Sequence, residues 1–209
     1  MSNRIRCTAF VGTEIAASGS LEEVALAVKA RLRQDPAIAP LVFDDATGRP
    51  IDLDLRGTDE AVVQRLDDHP VHGKPVHGTK PPVRASGRPK LGVVSREVTL
   101  LPRHWDWLNG QPGGASVALR RLVDEARHAN PIADKIRQAR EATYRFMTAI
   151  AGNEPGYEEA TRALFAGNNA RYHALIAGWP VGVRYYASLL SLDAFEEERG
   201  EPRPDRAAD

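Results

Sequence analysis

Three histidines fall close together at His69, His72 and His77, and His69-x-x-His72 is a spacing at which two imidazoles can share a metal ion. No cysteine lies near them and no helical pattern fixes the rings, so they read as part of a solvated linker. Asp44, Asp45, Asp52 and Asp54 offer the hard oxygens a divalent cation takes. Turn formation by the first two and solvent-facing alternation by the last two explain them without an ion. His104 and Asp106 are two apart and diverge on a helix, so they make no acid–base pair. His173 sits among apolar residues as a packed or surface histidine. Trp105, Trp107 and Trp179 suit a core or an interface better than a stacking platform. The sequence contains no G-x-x-x-x-G-K-[ST], G-x-S-x-G or H-E-x-x-H. No catalytic residue, metal ligand or cofactor is assigned, and the chain reads as non-enzymatic.

Charge is the second kind of chemistry on offer. The 209 residues carry 28 basic and 28 acidic side chains, a net of zero. The distribution is uneven. Residues 1–66 hold 8 Lys/Arg and 10 Asp/Glu (8 − 10 = −2), residues 67–90 hold 5 and 2 (5 − 2 = +3), and residues 196–209 hold 3 and 6 (3 − 6 = −3). A concentrated basic stretch suits a polyanion, although solvated linkers often carry as much. Lys80, Arg84, Arg88 and Lys90 are its candidate phosphate contacts. Within it, Gly87-Arg88-Pro89-Lys90 resembles the Gly-Arg-Pro core of an AT-hook, with Ser86 where an arginine usually stands; a plain basic linker fits the same residues.

Five regions position these groups. Residues 1–66 read as a small α+β unit of order ββαββα. Its first strands, 8–11 and 14–17, turn at Gly12-Thr13. Ser20 and Glu23 form a capping box before an apolar-faced helix. A strand at 40–43 and alternation at Ile51-Asp52-Leu53-Asp54-Leu55 follow, then a short helix from Thr58 to Leu66. Residues 67–90 are rich in Pro and Gly, carry the near repeat Val71-His72-Gly73-Lys74/Val76-His77-Gly78-Thr79, and read as a flexible basic linker. Residues 131–195 carry helical spacings broken by Gly152–Gly156 and Gly167–Asn169, a helical bundle. Residues 196–209 read as a disordered tail.

Residues 91–130 lie between. A strand pattern over Val93–Leu100 precedes Leu101-Pro102, a short helix with Trp105 and Leu108, the turn Gln111-Pro112-Gly113-Gly114, and a helix over Ala115–His128. The order resembles a ribbon-helix-helix DNA-binding unit, which closes by pairing its strand with that of a second copy. The resemblance implies a homodimer, with Glu97 and Thr99 on the strand face toward the major groove. Ser116 near the start of the second helix, with Arg120 and Arg121, would meet phosphates. Arg120/Asp124 and Arg121/Glu125 are also i,i+4 pairs that a surface helix carries for its own sake.

The runs Phe43-Asp44-Asp45-Ala46-Thr47-Gly48-Arg49, Leu91 to Leu108, Gln111 to Val123 and Glu158 to Gly167 resemble a bacterial family of uncharacterised proteins, domain of unknown function family 2239. The likeness spans nearly the whole chain. It implies no activity and no functional residues.

A hydrophobic share of 42% and a charged share of 27% suit a soluble globular protein. The single Cys7 excludes an internal disulfide and fits a reducing cytoplasm. No apolar run near Met1 is long enough for a signal peptide or membrane span. The expectation is a cytoplasmic, dimeric DNA-binding regulator, whose outer regions sense a ligand or bind a partner. The alternative is an interaction module that uses the same fold only to dimerise.

Overall fold

A computed structural model describes residues 5–67 and 96–195. The chain divides into two units, one of Met1–Pro75 with Ile132–Asp209, the other of Val76–Pro131.

In the first unit, β1 (Arg6–Val11) and β2 (Glu14–Ser20) form an antiparallel hairpin. Gly12 supplies a φ of 59° at its turn. β3 (Pro40–Asp44) pairs antiparallel with the other edge of β1, so the order is β2-β1-β3. β1 is therefore central, and Cys7, Thr8, Ala9 and Phe10 are all buried. A strand covered on both faces reads as a continuous buried run rather than an alternation.

One face carries Cys7, Ala9 and Val42. It packs on Leu21, Val24, Ala25 and Val28 of α1 (Leu21–Gln34) and on Val62 and Leu66 of α2 (Asp59–Asp67). The capping box opens α1 as expected: Glu23 N–H donates to Ser20 Oγ at 3.3 Å, and Ser20 N–H to Glu23 Oε2 at 2.8 Å. Lys29 is buried and ties the helices together, donating to Gly57 O at 2.7 Å with Asp59 Oδ1 at 3.0 Å. Its charge is tolerable there because both partners compensate the lost water.

The other face presents Phe10 and Phe43 to helices from the far end of the chain. These are α5 (Pro131–Ile150), α6 (Tyr157–Ala166), α7 (Asn169–Ile176) and α8 (Val181–Leu190). Phe146, Met147, Leu164, Tyr172, Ile176, Val183 and Tyr186 complete this second core. Phe146 stacks edge-on to Phe43 and Tyr186, with centroids at 5.2 and 4.7 Å. The regions 1–66 and 131–195, set apart as domains on the sequence, thus share one core.

The second unit contains α3 (Pro102–Asn109) and α4 (Gly114–Ala129). The turn between them is held by Gly114 N–H donating to Gln111 O at 2.9 Å. Gly113 has a φ of 83°, and a side chain there would press on Val117 at 3.0 to 3.1 Å.

The architecture is α+β: a three-stranded antiparallel sheet and eight helices among the described residues. Two expected strands require correction. Ile51–Leu55 forms no strand; a bridge between Phe43 and Pro50, flanked by Asp44 N–H donating to Arg49 O at 2.9 Å and Ile51 N–H donating to Val42 O at 2.7 Å, joins the chain just before it to the sheet. Carried on in this register, the ladder would next oppose Leu53 to Pro40, which has no amide hydrogen to donate. Burial still alternates, with Ile51, Leu53 and Leu55 packed on the α1–α2 core. The described part of the second strand, 96–100, also lacks strand structure and pairing, so the ribbon-helix-helix resemblance is not borne out. Residues 93–95 lie outside the described residues, as do the linker from residue 68 and the tail. No described helix is long and apolar enough to cross a membrane.

Candidate functional site

The helix pair of the second unit buries very little of itself. α3 has eight residues and α4 sixteen. At 1.5 Å per residue α3 is ~12 Å long and α4 ~24 Å, so α3 can cover only half of its neighbour. Leu108 and Ala118 are the buried side chains of the pair. Along α4, Ala115, Ala118, Leu119, Leu122, Val123 and Ala126 recur at three- and four-residue spacing, which makes one apolar stripe. Its first turns are partly sheltered, but Leu122 is 38% and Val123 55% exposed. Trp107 on α3 is 51% exposed, and Val98, Leu101 and Val117 are exposed as well. Several large apolar side chains are thus exposed on one small unit.

The residues expected to meet DNA divide into three groups. Lys80, Arg84, Arg88 and Lys90 lie outside the described residues, as do His69, His72 and His77. Glu97 and Thr99 are exposed on chain without strand pairing, so no ladder fixes which way either faces. Ser116, Arg120 and Arg121 are exposed on α4. Arg120 Nε donates to the Ser116 carbonyl at 3.1 Å, and Arg121 Nε lies 3.6 Å from Glu125 Oε1. The two arginines therefore make their described contacts along their own helix.

The aspartates are separated by their partners. Asp44 Oδ1 accepts from Ala46 N–H at 2.7 Å and Thr47 N–H at 3.1 Å, forming the turn. Asp45 Oδ1 accepts from Thr8 at 2.9 Å and from Tyr186 at 2.7 Å. Asp54 is bound by Arg56, which holds its carboxyl well below the usual carboxylate range. Among the described residues no three His, Cys, Asp or Glu side chains are placed to hold a metal ion. His104 and Asp106 are both exposed on α3, and His173 is exposed on α7.

The Asp45 cluster was not visible from the sequence. Thr8 Oγ1 also meets Ser18 Oγ at 3.1 Å, so β1, β2, the turn after β3 and α8 share one polar knot. Burial, reinforced by Asp45, raises the Tyr186 phenol and keeps it protonated. Burial likewise pushes the Cys7 thiol up to about 12, leaving it a poor nucleophile. These groups hold the fold. A shallow cleft of about 480 Å³ lies between α7 and α8, lined by His173, Val181, Arg184, Tyr185 and Ser188 among others. Its Arg184 donates inward, to Ala177 O at 2.6 Å.

Trp179, by contrast, is a core residue whose Nε1–H donates to Pro155 O at 2.9 Å. Trp107, set down on the sequence as core or interface, is exposed, whereas Leu122 and Val123 were not singled out there. The signal available for them was the continuation of an apolar stripe well past the reach of a short preceding helix.

Residues 6–191 match the family described as "uncharacterized protein conserved in bacteria" (DUF2239). The chain belongs to that family. No curated protein and no solved structure matches it.

Proposed function

We propose that the protein is a cytoplasmic, non-enzymatic association module whose contact surface is the α3–α4 helix pair. The observation that carries this is the exposure of Trp107, Leu122 and Val123 on a unit with so little core of its own. Fixing a backbone costs about 1–2 kcal/mol per residue, and burial of an apolar side chain returns about 1.5–3 kcal/mol. Leu108 is the one large apolar side chain buried among the described residues of the pair, and a partner that covers the stripe would bury several more. Replacing Leu122 by a photo-reactive benzoyl-phenylalanine in cells tests this. A covalent adduct to a protein partner is the expected outcome, and its absence at Leu122 under efficient activation would sink the reading.

DNA binding is the second reading, supported by the exposed Arg120 and Arg121 on α4 and, in the sequence, by the basic stretch that carries Lys80, Arg84, Arg88 and Lys90. The contacts would be to phosphates and would position the protein rather than read sequence. Fluorescence anisotropy with mixed duplex fragments at low salt decides it.

A further inference from the structure

We draw no further inference here: the strongest candidate, the exposed apolar face of α8 at Val181, Tyr185 and Leu189 beside the shallow cleft against α7, is a surface for which nothing in the structure shows what covers it.

Discussion

The Tyr186 hydroxyl donates to Asp45 Oδ1 at 2.7 Å, joining residues 141 apart in sequence. The bond ties the last helix to the turn after β3, and Thr8 on the central strand donates to the same oxygen at 2.9 Å. Tyr186→Phe removes one donor to a carboxylate and should cost about 1.5–3 kcal/mol. Asp45→Ala strands two buried hydroxyls and should cost more, although Thr8 keeps Ser18. Urea unfolding of the two variants checks the order. A smaller loss for Asp45→Ala would mean that water replaces the carboxylate.

Gly48 carries a second constraint on the same turn. Its φ is 62°, and an added Cβ would fall inside the Ala142 carbonyl of α5. Arg145 reinforces this contact by donating to Thr47 O at 3.0 Å. Gly48→Ala should cost about 3 kcal/mol or more, combining left-handed strain with overpacking. Gly12→Ala is the control, because its φ is 59° with nothing within 4 Å of the added atom. It should cost about 1–2 kcal/mol. Equal thermal shifts for the two variants would show that α5 can move aside.

Ser20 opens α1 through a reciprocal pair of bonds with Glu23. Ser20→Ala should cost about 1 kcal/mol. Glu23→Ala should cost less after Ser20→Ala than before it, since each residue caps the other's backbone. A double-mutant cycle by chemical denaturation measures that coupling; a coupling of zero would show that the two caps act independently.

What could be read along the chain was what local chemistry decides. The Ser20–Glu23 box, the turn at Gly12, the break at Asn130-Pro131 and the helix starts after Gly113 and Gly156 all lie within a few residues of their cause. Ile51–Leu55 showed its inward face correctly and its hydrogen bonding wrongly. Alternation reports which side chains are buried, whereas a strand also needs a neighbour able to complete a ladder. Val98 misled more fully, since it is exposed as well as unpaired. Lys29 was hidden because its partners, Gly57 and Asp59, belong to the next helix and its approach. The Asp45 knot was out of reach, because turn chemistry explained Asp44 and Asp45 well enough and the decisive Tyr186 lies at the far end of the chain. The apolar stripe of α4 was half legible: the helix had the right length, but the short reach of α3 is what leaves Leu122 and Val123 exposed.

The buried Cys7 makes stability depend on alkaline pH. Its thiol is raised in the folded protein from the ordinary 9.0 to about 12. A raised acid favours the folded state while protonated, so its contribution is full below pH 9 and is lost as pH rises from 9 toward 12. The loss approaches about 1.4 kcal/mol per pH unit for one group. Tyr172 and Tyr186, both raised by burial, add to the decline at the upper end. Cys7→Ala should flatten the fall between pH 9 and 10.5 while lowering stability at pH 7. Denaturant midpoints across this range test it; an identical slope in the variant would exclude the thiol as the cause.

On the DNA reading, affinity should depend steeply on salt. If a dimer neutralises roughly six phosphates, log affinity falls against log salt with a slope near −5. Replacing Lys80, Arg84, Arg88 and Lys90 with Ser should flatten that slope and weaken binding to all duplexes alike, because phosphate contacts carry no sequence information. Arg120→Ser should flatten it further. Anisotropy titrations at several salt concentrations read all of these. Binding that ignores the linker changes, or none at low salt, would remove DNA from the account and leave the helix pair as a protein contact alone.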